Sequence, residues 1–341
     1  MQLLKRLSEI GGVPGREDQV RELISSEIKD VVDDLQTDAM GNLIAYKKAA
    51  KEGGKKVMLS AHMDEIGFYV KHIDDKGFLR VHNVGGFDTR NLFARQVTVH
   101  TASGENLVGI LNPATKPIHI ASADERKKIP QMNEFAIDLG LNADTVKDKV
   151  RVGDMVTLRQ EFVDLGDVVT GKALDDRVNC WILIRVLKEL EDPAHDVYAV
   201  FSVQEEVGLR GATTSAFHVE PDIGIALDTT LAVDVPGTSD DQSVTRLGAG
   251  VAIKILDGAS ISTRWLVDSF VELAEQNEVN YQLEVLPLGG TDARAIQLSR
   301  QGVPSLTLSI PSRYVHTVTE MVAKSDLEAS VTLLKHYLTG R

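Results

Sequence analysis

The chain has 341 residues, of which 43% are hydrophobic and 26% are charged, a composition typical of globular proteins with a sizeable core. Its length favours one large domain together with a smaller one. The formal net charge of −13 argues against nucleic acid or an anionic membrane as the main partner.

The N-terminal segment "MQLLKRLSEIGGVPG" lacks the apolar core of a signal peptide and predicts a short helix. The single cysteine, Cys180, excludes an internal disulfide. No run of 18 or more apolar residues is present, so we expect no transmembrane helix. These features together predict a cytoplasmic protein.

Helices and strands then alternate along the chain, which predicts an α/β layer fold. Residues 16–35 place apolar side chains on one helical face, and strands follow at "NLIAYKK" and "KKVMLSAHMD". A capping box between Ser325 and Glu328 predicts the start of the last helix. The elements predicted between these ends are a helix at Asp176–Leu190, strands at Val197–Val203 and 222–228, a helix at Thr263–Glu275 and a strand at "PSLTLSI".

Residues 67–165 break this alternation. They contain short alternating runs punctuated by Gly, Asp and Asn, a pattern typical of a small all-β module. Because α/β segments lie on both sides, we predict a β-rich domain at 67–165 inserted into a discontinuous domain formed by 1–66 and 166–341.

Two adjacent glutamates, Glu205 and Glu206, stand where the strand in "FSVQEEVGLR" ends. Taken alone, such a pair is more often a solvated loop than a site, since Glu is mostly exposed. His62 and Asp64 follow another strand, in "SAHMDEIG", and are two residues apart. In an extended segment they lie on the same side, so Asp64 can accept a hydrogen bond from the second ring nitrogen of His62.

Other acids and histidines occupy comparable places. Asp175 and Asp176 precede a buried helix, where an N-cap with a first-turn acid is the common interpretation. Asp228 ends the strand "IGIALD", and His316 lies a few residues beyond "SLTLSI".

The joint pattern is stronger than its parts, because ligands of open α/β sheets bind at the carboxyl ends of the strands. Imidazoles and carboxylates together suit Zn, Co or Mn better than Ca. The sequence contains no HExxH, no GxxxxGK[ST] and no GxSxG, which argues against a helix-borne zinc protease site, a P-loop and a serine hydrolase. The residues expected to converge at this edge are His62, Asp175, Glu205, Glu206, Asp228 and His316.

In motif content, the chain resembles the glutamyl-aminopeptidase, deblocking-aminopeptidase and tetrahedral (TET) aminopeptidase family of dinuclear metallopeptidases. The resemblance covers nearly the whole chain. It implies a mixed-sheet αβα zinc-peptidase-like catalytic domain with an inserted small all-β dimerisation domain. The motifs that carry it, in order, are "SAHMDEIGF", "GKALDDRVNC", "VQEEVGLRGA", "ALDTT", "GGTDA" and "RYVHT".

The resemblance further implies two divalent metal ions per subunit, with Zn expected first and Co or Mn as alternatives. His62 and Asp228 would bind one ion, Glu206 and His316 the other, and Asp175 would bridge both. The bond between Asp175 and Asp176 is often cis in such proteins.

Catalytic roles are implied as well, with Glu205 as the general base and Asp64 as the residue that orients His62. Two positions depart from the family pattern, Asn179 where Gly is common and Thr317 where Ser is common. Neither is a proposed ligand.

The implied activity is metal-dependent hydrolysis of N-terminal residues from peptides with a free N-terminus. Dimers, and tetrahedral dodecamers built from them, are the implied assemblies. A dinuclear carboxypeptidase, an N-acyl amino-acid deacylase and a non-enzymatic metal-binding protein stay open as alternatives. The loop Gly289–Ala293 is either a turn before a helix, with Asp292 near its N-cap, or a substrate contact. The preferred N-terminal residue is not readable from the sequence.

Overall fold

The computed structural model describes residues 1–340, which form nine α-helices and seventeen strands. The helices are α1 Gln2–Glu9, α2 Asp18–Ile28, α3 Ala123–Lys127, α4 Ala143–Lys149, α5 Leu174–Glu189, α6 Arg210–Val219, α7 Arg264–Gln276, α8 Asp292–Gln297 and α9 Lys324–Thr339. The strands are β1 Asp34–Thr37, β2 Leu43–Lys47, β3 Lys56–His62, β4 Gly67–Ile73, β5 Leu79–Val84, β6 Arg95–His100, β7 Asn106–Pro113, β8 Phe135–Asp138, β9 Met155–Leu158, β10 Val163–Asp164, β11 Val168–Gly171, β12 Asp196–Ser202, β13 Ile223–Leu231, β14 Val251–Leu256, β15 Tyr281–Val285, β16 Ser305–Arg313 and β17 Glu320–Ala323.

Eleven strands form one large mixed sheet in the order β1-β2-β12-β3-β13-β16-β17-β11-β10, with β14 and β15 branching from β16. The four central strands β12, β3, β13 and β16 run parallel to one another. Their carboxyl ends therefore lie along one edge of the sheet, and this is where the sequence places its histidines and acids.

Helices cover both faces of this sheet. The alternation along β12 shows it, since Ala199 and Phe201 belong to the core that includes α5 whereas Val200 packs with side chains of α6 and α8. Helix α5 is apolar around most of its circumference, as expected of a helix enclosed between the sheet and other helices. It contacts β3 and β13 on one side and α1, α2 and α9 on the other. Among residues 1–340, no helix is both long enough and apolar enough to span a lipid bilayer.

A second core lies inside a closed antiparallel barrel with the strand order β4-β5-β8-β7-β6-β9. The predicted fold class, a large mixed α/β sheet with a small all-β unit, is confirmed. The barrel strands run from Gly67 to Leu158, whereas β10 pairs with β11 in the large sheet. The division into domains at residues 67 and 165 stays a prediction, as does the role of the inserted unit in dimerisation.

Two predicted helices differ from the structure at their N- or C-terminal ends. The helix predicted over residues 16–35 ends at Ile28, and Leu35 lies in β1, which pairs with β2. Leu35 packs against the core from that strand. Its spacing from Ile28 and Val31 matches a helical period only by coincidence.

The capping box at Ser325 is wrong. Helix α9 begins at Lys324, directly after β17, and no side chain caps it. Because the chain leaves the strand straight into the helix, Ser325 is already inside its first turn. The Glu328 carboxylate accepts from Arg185 instead of from the backbone of the helix start.

Candidate metal centre

Parallel pairing of the central strands brings the predicted site residues together. His62 is the last residue of β3 and pairs in register with Ser202, the last residue of β12. The turn after β12 carries Glu205 and Glu206. Asp228 lies inside β13, which continues three residues beyond the predicted end because it keeps pairing with β16.

Asp175 lies between the two imidazoles. Its Oδ1 is 3.3 Å from Nε2 of His62, and its Oδ2 is 3.5 Å from Nε2 of His316. Nε2 of His316 is also 3.3 Å from Oε1 of Glu206. One carboxylate thus directs one oxygen to each histidine, an arrangement suited to a group that bridges two cations. The peptide bond from Asp175 to Asp176 is cis, as the resemblance implies.

Two sets of potential ligand atoms are close enough together to hold a metal ion, since the atoms of each set all lie within 4.8 Å of one another. They share Asp175. One set joins it to Glu206 and His316, and the other joins it to His62, Asp176 and Asp228. The sequence interpretation did not include Asp176 among the ligands. Its carboxylate already accepts from the amide of Asn179 at 2.5 Å and from the backbone N–H of His62 at 3.1 Å.

Both histidines face the cluster with Nε2, because their other ring nitrogen is held by a carbonyl. Nδ1 of His62 is 2.9 Å from the backbone oxygen of Asp64, and Nδ1 of His316 is 3.0 Å from that of Gly86. With Nδ1 protonated and donating, each Nε2 keeps its lone pair for a metal. The Asp64 carboxylate is farther from His62 Nδ1, at 3.6 Å.

The Asp64 carboxylate has a second contact that the sequence did not reveal. Its Oδ1 accepts from the backbone N–H of Glu205 at 3.0 Å, and its Oδ2 accepts from that of Glu206 at 3.1 Å. Asp64 is fully buried, so these two bonds fix the turn that carries both glutamates.

Glu320 holds the backbone of two other residues of the cluster in the same way as Asp64 holds that of the two glutamates. Its carboxylate accepts from the backbone N–H of Asp175 at 3.0 Å and from that of His316 at 2.9 Å. Burial, together with the nearby Asp175 carboxylate, raises the pKa of Glu320 to about 8. Nothing in the local sequence around Glu320 marks it as part of a site.

The cluster concentrates negative charge away from water. Burial raises the pKa of Glu205 well above its usual value, and the carboxylates of Asp228, Glu206 and Asp292 add to the increase against an opposing effect of His62. Burial likewise raises the pKa of Asp228 and of Glu206. These acids lack sufficient compensating positive charge when the imidazoles are neutral.

The imidazoles show the complementary effect. Burial lowers the pKa of His316, but the adjacent carboxylates of Asp175 and Glu206 outweigh it and raise that pKa to about 12. Burial lowers the pKa of His62 as well, but the carboxylates of Asp175 and Asp64 outweigh it and raise that pKa. The two imidazoles in turn hold the pKa of Asp175 below its usual value in spite of burial. The cluster therefore favours cations at its centre.

Divalent metal ions fit these residues. Oδ1 of Asp175 is buried and has no hydrogen-bond partner among residues 1–340, which is costly unless a cation satisfies it. The donors are two imidazole nitrogens and several carboxylates, without a thiolate, a set that suits Zn, Co or Mn.

Glu205 lies at the edge of the cluster and belongs to neither ligand set. Its Oε2 is 4.0 Å from Nε2 of His62. Six of the seven predicted site residues line one cavity of about 610 Å³, and the buried Asp64 is the exception. Residues of this cavity named in the sequence interpretation are His62, Asp175, Glu205, Glu206, Asp228 and His316.

The loop Gly289–Ala293 combines both of its predicted roles at different residues. Gly289, Gly290 and Thr291 line the cavity, and Thr291 is the N-cap of α8. Asp292 is buried and accepts from the hydroxyls of Ser60 and Ser202, each at 2.6 Å.

A family model and curated relatives match most of the chain. The family model described as M42 glutamyl aminopeptidase matches residues 41–333. The lysyl aminopeptidase of Pyrococcus furiosus is 33% identical over 344 residues, which covers 99% of this chain and 96% of the relative.

Solved structures agree. An aminopeptidase from the archaeon Desulfurococcus kamchatkensis superposes with a TM-score of 0.95 at 40% identity, covering 100% of this chain and 94% of that one. The TET1 peptidase of Pyrococcus horikoshii, which can assemble into a tetrahedron or a large octahedral shell, gives a TM-score of 0.88 at 34% identity, covering 100% and 99%.

Proposed function

Because this chain belongs to the M42 glutamyl aminopeptidase family, we propose that it is a dinuclear metallo-aminopeptidase that removes N-terminal residues from peptides. Aminopeptidase activity follows from the family. The two-metal mechanism rests on one observation, the Asp175 carboxylate placed within 3.5 Å of Nε2 of both His62 and His316.

The ligand roles divide around Asp175. His62 and Asp228 would hold one ion, Glu206 and His316 would hold the other, and Asp175 lies where it would serve both. The two groupings of ligand atoms support this division. Asp176 is left as a support, because both of its oxygens already accept hydrogen bonds.

Divalent ions held by these residues would lower the pKa of a bound water and polarise the scissile carbonyl. Glu205 accepts the proton from this water and passes it to the leaving amine. Its place at the cavity edge, outside both ligand sets, leaves its carboxylate available for proton transfer. Asp64 holds the Glu205 backbone and thus the direction of that carboxylate.

Selection of the chain terminus follows from charge. A free α-amino group is positive or partly so near neutral pH, and it meets carboxylates at the bottom of the cavity. An N-acylated terminus carries no such charge. This difference favours an aminopeptidase over an N-acyl amino-acid deacylase and over a carboxypeptidase.

The proposal is tested by an asymmetry between the adjacent glutamates. Glu205→Gln should retain both metals and lose about 10²- to 10⁴-fold in kcat, since only proton transfer is removed. Glu206→Gln should lose metal at one site. Metal content per subunit and kcat on aminoacyl p-nitroanilides measure the two effects separately, with the exposed Glu52→Gln as the matched control.

Wild-type turnover by Glu205→Gln would contradict the mechanism. Chelation should abolish activity, and Zn, Co or Mn should restore it. A protein that stays active when metal-free is not a metallopeptidase. Faster hydrolysis of N-acetylated than of free-amine peptides would instead favour the deacylase.

Self-association is the second part of the proposal. We infer that the chain forms dimers through the barrel and that these build a larger shell, as the TET1 relative does. The observation on this chain that supports association is a set of exposed apolar side chains near the barrel. Phe93, Ile118 and Ala121 line a cavity of about 710 Å³ beside the barrel, and Ile118, Ile120 and Ile129 are more than half exposed. The cytoplasmic location expected from the sequence stays a prediction.

A further inference from the structure

The turn that carries Glu205 is held by side chains from three distant segments of the chain. Four successive backbone N–H groups, those of residues 203–206, each donate to a side-chain oxygen at 3.0 or 3.1 Å. The acceptors, in the order of these amides, are Asn42, Glu17 and Asp64, the last of which accepts from two of them. The turn therefore depends for its shape on groups outside it.

Glu17 is the acceptor whose side chain ties the N-terminal loop to this turn. It is 3% exposed, and although it stands at the N-cap position of α2, its side chain does not cap that helix. Its Oε1 accepts instead from the backbone N–H of Gln204 at 3.1 Å and from that of Gly15 at 2.8 Å. Loss of this oxygen would leave two N–H groups without an acceptor in a largely buried region.

The loop before Glu17 is itself anchored, so the carboxylate is not carried by a loose arm. The backbone N–H of Glu65 donates to the carbonyl of Gly12 at 2.9 Å, and the N–H of Gly12 donates to the Glu65 carboxylate at 3.2 Å. The hydroxyl of Tyr69, in β4, donates to the carbonyl of Pro14 at 2.8 Å. Glu17 therefore has a fixed place relative to the segment that follows β3.

Gln204 has a backbone conformation that needs such support. Its φ is 55°, in the left-handed region that residues other than glycine rarely adopt. Conformations of this kind persist only where the surrounding structure holds them. Because Gln204 immediately precedes Glu205, a relaxation to negative φ would change the direction in which the chain enters the proposed base.

Glu205 depends on its backbone more than Glu206 does. Oε1 of Glu206 lies 3.3 Å from Nε2 of His316, and a metal held there would fix this carboxylate as well. The Glu205 carboxylate makes no hydrogen bond with any group among residues 1–340, and its Oε2 is 4.0 Å from Nε2 of His62. No side chain therefore restores its direction if the turn moves.

We propose that Glu17 is a positioning residue for the general base. By holding the N–H of Gln204, it sets the direction in which the Glu205 carboxylate leaves the backbone. The role rests on the proposed aminopeptidase mechanism and adds to it a residue that contacts neither the substrate nor the metals. Because both bonds end on Oε1, the length of the side chain matters and its charge does not.

Two substitutions separate length from charge. Glu17→Gln keeps the length and a carbonyl oxygen that can accept both bonds, so it should keep more than about half of the wild-type kcat. Glu17→Asp keeps the charge and suits an N-cap, but its carboxylate is one methylene short of the Gln204 amide. Its kcat for Leu p-nitroanilide should fall about 10- to 100-fold, with KM within about twofold and both metals bound.

Metal analysis, steady-state kinetics and circular dichroism measure these quantities. Glu22→Gln and Glu22→Asp, on an exposed residue of the same helix, are the matched controls and should behave as the wild type.

A further measurement distinguishes positioning from a general weakening of the fold. In the Glu205→Gln background no base is left to direct, so adding Glu17→Asp should lower kcat by less than about twofold. An additional loss of about tenfold or more would show that Glu17 acts on other groups and would overturn the role. Loss of metal from Glu17→Asp alone would overturn it too, since the side chain would then serve Glu206.

The two proposals fail in different ways. If the metal-loaded wild type hydrolyses no free-amine p-nitroanilide or peptide, the aminopeptidase proposal fails and the role of Glu17 fails with it. If the wild type is active and Glu17→Asp is equally fast, or Glu17→Gln is as slow as Glu17→Asp, the aminopeptidase proposal stands and the role of Glu17 is wrong.

Discussion

The proposed centre is held at the residue scale by two buried carboxylates that bind no metal in our assignment. Asp64 accepts from the backbones of Glu205 and Glu206, and Glu320 accepts from those of Asp175 and His316. Each carboxylate thereby fixes two of the residues that face the metals. Groups of this kind orient metal ligands, and their mutation typically costs about 10- to 100-fold in metal affinity or activity.

The change Asp64→Asn tests this. Asparagine has one oxygen and one NH₂, so either the N–H of Glu205 or that of Glu206 would face a donor. We expect a loss of about 10- to 100-fold in metal affinity or kcat/KM with the fold retained. Metal titration, kinetics and circular dichroism measure it. Asp75→Asn, on an exposed side chain, should be silent, and an equally silent Asp64→Asn would contradict the role.

At this scale the sequence reveals which side chains carry chemistry but not what holds them. His62, Asp175, Glu205 and His316 stood out because each borders a recognisable apolar element. Glu320 and Gly86 did not, since their contacts join segments far apart in the chain.

At the scale of elements, the turn between β12 and α6 determines where the glutamates point. Gly211, in the first turn of α6, donates from its backbone N–H to the carbonyl of Val203 at 2.9 Å. A Cβ at Gly211 would lie 2.3 Å from Oδ1 of Asn42 and 2.5 Å from the backbone N and O of Val203. The helix start is packed directly against the end of the strand, and only glycine allows it.

The packing around Gly211 predicts the sign of the change in unfolding free energy that Gly211→Ala causes. Helix propensity alone would stabilise the protein by about 0.5–1 kcal/mol. Because the contacts are with backbone atoms, we expect destabilisation of about 1–3 kcal/mol instead. Urea unfolding measures the free energy. Thr213→Ala, exposed on the same helix, should change stability by about 0.5 kcal/mol or less, and a stabilised Gly211→Ala would refute the packing argument.

Elements with strong periodicity were predictable, and their ends were less so. The buried helix α5 and the strands β12, β13 and β16 occur where apolar runs indicated. The apolar period predicts a helix up to Leu35, yet the helix ends at Ile28, residues 29–33 form a turn, and Leu35 lies in β1, which pairs with β2. The predicted capping box at Ser325 is wrong for a similar reason, because the local sequence does not show that β17 runs directly into α9.

At the scale of the whole molecule, the loop after barrel strand β5 contributes contacts to the candidate metal centre. Gly86 follows β5 and holds His316 through its carbonyl. A Cβ at Gly85 would lie 3.2 Å from Oε2 of Glu206. The barrel and the large sheet therefore meet at the proposed metals, which the separate sequence patterns of the two units did not indicate.

Association is predicted to depend on the exposed isoleucines near the barrel. The double change Ile118→Asp with Ile120→Asp should shift the protein toward smaller species, because charge is costly in an apolar contact. Sedimentation velocity distinguishes the 37.2 kDa chain from its dimer and from larger shells. Ile261→Asp, on an isoleucine 68% exposed outside the barrel, should leave the assembly unchanged. An unaltered assembly in the double variant would place the interface elsewhere.

The spread of the proposed ligands along the chain has a consequence for biosynthesis. His62 ends the third strand, and His316 stands shortly before the last helix, with the entire barrel translated between His62 and Asp175. Domains fold as they emerge from the ribosome. Neither the early strands nor the finished barrel has a working centre, since the second histidine is still unmade. On the proposed ligand assignment, the centre can therefore assemble only when nearly the whole chain has been made.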